Sequence, residues 1–138
     1  MNIVILRGTV VTDPLIQSTP QGRRVLKFRI VTSNGIDRRT GQRRLGDVHQ
    51  IVYWESLYAG DTRFDLYAKH IEKDSKASVF GKIAYTRWTS KTDGQERRGT
   101  EIIARQIDVP FESSDNGEEA EAEETATESF QDAIAEHV

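Results

Sequence analysis

Cysteine is absent from the 138 residues, which excludes disulfides, thiolate zinc sites and cysteine nucleophiles. The absence fits a reducing cytoplasm. Histidine occurs only three times, as His49, His70 and His137. No metal-ligand spacing, phosphate-binding glycine loop or nucleophile elbow is present, and the carboxylates before the tail are scattered, mostly beside arginines. No catalytic residue, metal site or cofactor is therefore predicted. Long apolar runs are also missing. The apolar start, Ile3, Val4, Ile5 and Leu6, is too short for the core of a signal peptide, so a soluble, unprocessed chain with no membrane partner is expected. Hydrophobic residues make up only 36%, and the shortage is local, because almost nothing after Phe111 can build a core.

The last segment also lacks positive charge. All 19 Lys and Arg lie within residues 1–112, against 13 Asp and Glu, a balance of +6. Residues 113–138 hold the other 9 acids and no base, a balance of −9. The net charge of −3 hides a basic domain carrying an acidic tail, a pattern that points to a polyanion binder. The division is read as one domain over residues 1–111 and an acidic, disordered tail over 112–138.

What is there is organised around residues 23–54. An alternating run places Leu26, Phe28 and Ile30 on one face of a strand and Lys27 and Arg29 on the other. A loop follows with Arg38, Arg39, Arg43 and Arg44, four cations within seven residues, and the chain returns as a strand over 48–54. Scattered arginines usually only solvate a loop; four of one sign so close together favour a track for phosphates. A face carrying cations and flat rings suits an unpaired nucleic acid, whose phosphates follow the charges and whose bases stack on the rings.

The other elements fall into place around this hairpin. Residues 3–11 read as a first strand, ended by Asp13 and Pro14. Its start is apolar on both faces, so both faces are expected to be covered, the second by another subunit. Phe64, Tyr67, Ala68 and Ile71 recur at helical spacing, with Asp61 or Thr62 to cap the start. Strands over 77–88 and 100–109 flank a polar turn containing Asp93 and Gly94. Three strands, one helix and two strands is the order of an all-β, five-stranded oligonucleotide-binding (OB) barrel with its helix between strands 3 and 4.

The chain also resembles the bacterial single-stranded-DNA-binding proteins over residues 2–111. The resemblance is carried by Asn2-Ile3-Val4-Ile5-Leu6-Arg7-Gly8, Thr19-Pro20-Gln21-Gly22, Phe28-Arg29-Ile30-Val31-Thr32-Ser33 and Val48-His49-Gln50-Ile51-Val52-Tyr53-Trp54. Thr86-Arg87-Trp88, Asp93-Gly94-Gln95 and Thr100-Glu101-Ile102 complete it in the family's order. It implies an OB fold, a homotetramer, sequence-tolerant binding of single-stranded DNA and a tail that recruits replication or repair proteins.

By the same resemblance, Trp88 and Trp54 stand at stacking positions, and Ile36 and Val48 stand where the family commonly has tryptophan. A tryptophan is ordinarily a core residue, but the polar neighbours of Trp88 favour an exposed ring. Arg29, Lys73, Arg87, Arg97 and Arg98 join the loop arginines on the implied DNA surface. Lys73 is followed by Asp74 where the family has glycine, which is tolerable because Asp can take a left-handed conformation. His49 matches a histidine near subunit contacts and joins Ile3, Val4, Ile5 and Leu6 as the expected oligomer interface. In the tail, Phe130, Ile134 and Val138 would share one side of a short helix and form the partner-binding end, although the family's Ile-Pro-Phe ending is absent.

The resulting expectation is a cytoplasmic, nucleoid-associated protein, not an enzyme, that coats single-stranded DNA in replication, recombination and repair. An RNA-binding OB module and an oligomeric interaction adaptor are the alternatives. The localised positive charge beside Trp54 and Trp88 weighs against the adaptor.

Overall fold

A computed structural model describes residues 1–110; the tail positions Phe130, Ile134 and Val138 lie outside them. The elements in chain order are β1 (Val4–Val10), β2 (Leu15–Ser18), β3 (Arg24–Thr32), β4 (Asp47–Trp54), α1 (Arg63–His70), β5 (Lys76–Thr89) and β6 (Glu96–Asp108). β1 pairs with β5, β5 with β6, β6 in parallel with β4, β4 with β3, and β3 again with β1. The five pairings close on themselves, as the OB order requires.

The alternating patterns decide what fills the ring. Leu26, Phe28 and Ile30 of β3 are buried with Ile51 and Tyr53 of β4, Val79 of β5, and Ile102 and Ala104 of β6. Phe64, Tyr67 and Ile71 bring α1 onto the same core at the predicted helical spacing. Tyr53 meets Tyr67 edge-on, with ring centroids 4.9 Å apart. The Tyr67 hydroxyl accepts a hydrogen bond from the Ile107 N–H at 3.3 Å, so its burial leaves no unmatched polar atom. Gly81 marks a β-bulge where a Cβ would lie 2.1 Å from the Ile103 carbonyl oxygen, so only glycine lets β5 and β6 approach there.

β1 ends before Asp13-Pro14 as expected, but a short strand that the sequence did not announce follows, β2, which lies on β3 and pairs Leu15 with Lys27 through Ser18 with Arg24. All four β2 residues are exposed, so no alternation announces them. β6 begins at Glu96 rather than near residue 100, and with β5 it forms an arm of paired strands extending past the core. Within the chain the core covers one face of β1, where Val4 and Leu6 pack, and Ile5 on the other face stays 42% exposed.

Candidate nucleic-acid interface

Cross-strand register sorts the candidate side chains by face. In the β3–β4 hairpin Val25 lies opposite Trp54, Lys27 opposite Val52, Arg29 opposite Gln50 and Val31 opposite Val48, all on the face turned away from the core. Val52 lies beside Ile103 of β6, which continues that face through Glu101, Gly99 and Arg97. On β5 it runs through Ala84, Thr86 and Trp88. Arg29, Val48, Trp54, Trp88 and Arg97 thus occupy one continuous outer surface.

A groove of about 560 Å³ crosses this surface. It is lined by Lys27, Arg29 and Gln50 on one side and by Thr86, Trp88, Gly99 and Glu101 on the other. The Arg29 Nε donates to the Gln50 Oε1 at 3.1 Å, which holds the guanidinium along the sheet. Asp13 and Glu101 balance Lys27 and Arg29, so the groove itself is close to neutral.

Trp88 is 49% exposed, and its position depends on a missing side chain. A Cβ at Gly99 would come within 2.8 Å of the Trp88 Cζ3 and 3.1 Å of the Cη2. The indole lies across the glycine, which fixes the ring on the strand surface. Trp54 is half-buried, with the Arg23 guanidinium carbon 5.2 Å from its ring centroid.

The basic loop between β3 and β4 has internal order. An isolated bridge joins Ile36 to Arg43, and the N–H groups of Asp37 and Arg44 donate to the carbonyls of Gln42 and Gly35. Arg38, Arg39, Arg43 and Arg44 are all exposed. Ile36 and Val48 are each 58% exposed, an apolar surface beside those cations. His49 faces the core side, its Nε2 2.8 Å from the Thr32 Oγ1. Lys73 is exposed in the turn after α1, where Asp74 takes the anticipated left-handed conformation at φ 72°.

The structure separates residues that the sequence treats as one set. Arg87 and Arg98 lie opposite each other on the reverse face of the arm from Trp88 and Arg97. Arg97 is already engaged, with Nη2 3.1 Å from Asp93 Oδ2. Asp93 is held below its ordinary value chiefly by the Gln95 N–H, with the Arg97 guanidinium also contributing. Arg24, in the same basic run as Arg29, is a structural clamp: it pairs with Glu55 at 2.8 Å and Asp65 at 3.0 Å and lies over the Phe64 ring. Among the groove residues, Lys27 was recognisable from alternation with Arg29. Gln50, Gly99 and Glu101 become visible only through register.

A model of the single-strand binding protein family matches residues 1–110. The chain is 24% identical over 110 residues to single-stranded DNA-binding protein 1 of Chlorobaculum tepidum, a match covering 79% of this chain and 64% of that protein. It is 30% identical over 105 residues to the single-stranded DNA-binding protein of Rhizobium meliloti, covering 75% and 57%. These matches span less than two thirds of either relative. Among solved structures, the Plasmodium falciparum SSB in complex with ssDNA superposes with a TM-score of 0.63 at 26% identity, covering 82% of this chain and 96% of that one.

Proposed function

Because this chain belongs to the single-strand binding protein family, we propose that it binds single-stranded DNA with little regard to sequence, as a binding protein and not an enzyme. The observation that carries the reading is Trp88, half exposed and laid over Gly99 at the edge of a groove shared with Lys27 and Arg29. Every base has a π-face, so a fixed ring stacks on any of them. The near-neutral groove, with Gln17, Gln50, Thr12 and Thr86 in its wall, suits uncharged bases. The loop arginines outside it suit phosphates. Titration with poly-deoxythymidine should quench the fluorescence of Trp54 and Trp88, and equal-length RNA should compete poorly. An unquenched spectrum with no binding would overturn the reading, and preferential RNA binding would transfer it to RNA.

The chain's service in replication, recombination and repair, within the cytoplasm and at the nucleoid, follows from the same reading. So does recruitment of partner proteins through Phe130, Ile134 and Val138. Assembly into a homotetramer is supported by the exposed Ile5 on β1, which also carries Val4 and Leu6, with Ile3 just before it. Sedimentation equilibrium at micromolar concentration should give four times the chain mass; monomer alone would refute the assembly.

A further inference from the structure

The sheet closes on itself through β1 and β3, and β2 is left outside that closure. It stands at the end of the strand order, with β3 as its sheet neighbour among the described residues. All four of its residues are exposed, Leu15 to 54% and Ile16 to 48%. The register tells which backbone groups the open edge offers. The Thr19 N–H donates to the Arg23 carbonyl at 2.8 Å. Hydrogen-bonded pairs alternate along an antiparallel ladder, so Gln17 and Leu15 also turn their backbone groups towards β3. Ile16 and Ser18 turn theirs outwards. Such an edge is a template for another strand, and proteins commonly blunt it with charge. Here no charged residue occurs from Pro14 to Gly22, and Pro14 and Pro20 only confine the open length to the residues between them.

This edge is self-complementary. Set antiparallel to its own copy about a two-fold axis at Gln17, β2 brings Ile16 opposite Ser18 of the second copy, and Ser18 opposite Ile16. Both are then hydrogen-bonded pairs, each exchanging its two backbone bonds, and no like charges meet. The two Gln17 side chains face each other at the axis, where each amide can donate to and accept from the other. Leu15 and Gln17 also line the groove, so the pairing sets two grooves end to end. A contact this short is too small to hold free copies together, since stable interfaces bury about 1,200–2,000 Å². One DNA strand occupying both grooves supplies the missing affinity by raising the effective concentration of one edge at the other. We propose that β2 joins neighbouring copies edge to edge on a shared DNA strand, antiparallel about Gln17. This rests on the reading of the chain as a single-stranded-DNA binder. It is separate from assembly through β1, which lies at the other end of the strand order.

The test uses the full-length protein and two variants. Ser18→Pro removes an outward N–H and spares the β2–β3 ladder, because proline is tolerated on an edge strand where its nitrogen faces solvent. On oligo-deoxythymidine long enough for two protein units, the parent should bind the second more tightly than the first. Ser18→Pro should cut that gain by about 5- to 150-fold, the worth of the two backbone hydrogen bonds lost across the axis. An oligomer holding one unit should bind parent and Ser18→Pro alike, which also shows that the variant is folded. The free proteins should sediment alike. Because the chain has no cysteine, Gln17→Cys carries the only thiol. It should form a disulfide-linked dimer on the long oligomer, and little on the short one or without DNA. If the parent shows no gain for the second unit, or Ser18→Pro keeps all of it, the edge contact is wrong and the function stands. If the parent binds no DNA, the functional reading itself fails. Equal cross-linking in the free protein would place β2 inside the free assembly and overturn the proposal. Cross-linking that appears only after residues 113–138 are deleted would assign the edge to the tail and overturn it too.

Discussion

At the scale of single residues, the most informative position is one without a side chain. Trp88 was legible as an exposed ring because polar residues flank it, and its removal by Trp88→Ala should weaken binding by about 1–3 kcal/mol. Gly99 was not legible. It follows Arg97 and Arg98 in a polar segment, and only the register that sets it opposite Thr86 brings it beneath the indole. A methyl group there must tilt the ring, and an off-rotamer side chain costs about 0.5–1.5 kcal/mol. Gly99→Ala should therefore reduce affinity for oligo-deoxythymidine by about two- to tenfold, less than removing the ring, and should change the near-ultraviolet circular dichroism of the free protein. Parent-like spectra and affinity would show that the ring's placement does not depend on the glycine. Arg24 teaches the converse. In sequence it is one more cation of a basic run, yet it faces inward to Glu55, Asp65 and Phe64, and alternation alone does not name its partners.

At the scale of elements, the β3–β4 hairpin and α1 were legible because their apolar residues repeat at two- and three-to-four-residue spacing over enough positions to be distinctive. β2 was not, since an exposed four-residue strand buries nothing and its pairing is purely backbone. The Arg24–Glu55 clamp holds β3, the end of β4 and α1 together, and it predicts how the fold responds to acid. The Glu55 carboxylate is kept below its ordinary value of 4.5, first by the Arg24 side-chain hydrogen bond. The Asp61 carboxylate is lowered by Arg63, whose side chain and N–H both donate to it. Lowered carboxylates stabilise the folded state above their unfolded values and lose that contribution as pH falls through the folded ones. Asp108 acts in the opposite sense, because burial raises it and favours its protonated form in the fold. The unfolding temperature should thus fall below about pH 4. Glu55→Gln should be less stable than the parent at neutral pH, and the difference should vanish in strong acid. Parallel curves for the two proteins across the whole range would rule out Glu55 as a contributor to the acid transition.

At the scale of the whole molecule, the division of charge was legible because it needs no fold. A +6 region and a −9 segment lie on one chain. The structure adds where part of the positive charge lies, on exposed loop arginines beside the outer face and on the arm. A tethered acidic segment has a high effective concentration at that surface, so it competes with any other polyanion for it. The attraction is long-range and acts between solvated charges, so it is screened, with a Debye length of about 10 Å at 0.1 M salt. DNA brings something the tail has little of. Its bases can stack on Trp88, whereas residues 113–138 contain only Phe130 and His137 as rings. Stacking survives salt better than charge pairing, so DNA should win increasingly as ionic strength rises. Deleting residues 113–138 should therefore strengthen binding of single-stranded DNA at low salt and change it little at high salt. The full-length protein should accordingly show a shallower log–log salt dependence than the truncated one, because salt weakens its internal competitor along with its ligand. Affinities of both forms measured across one salt series decide the matter. Equal values at low salt would mean that the tail does not reach the basic surface, and partner recruitment would remain its task.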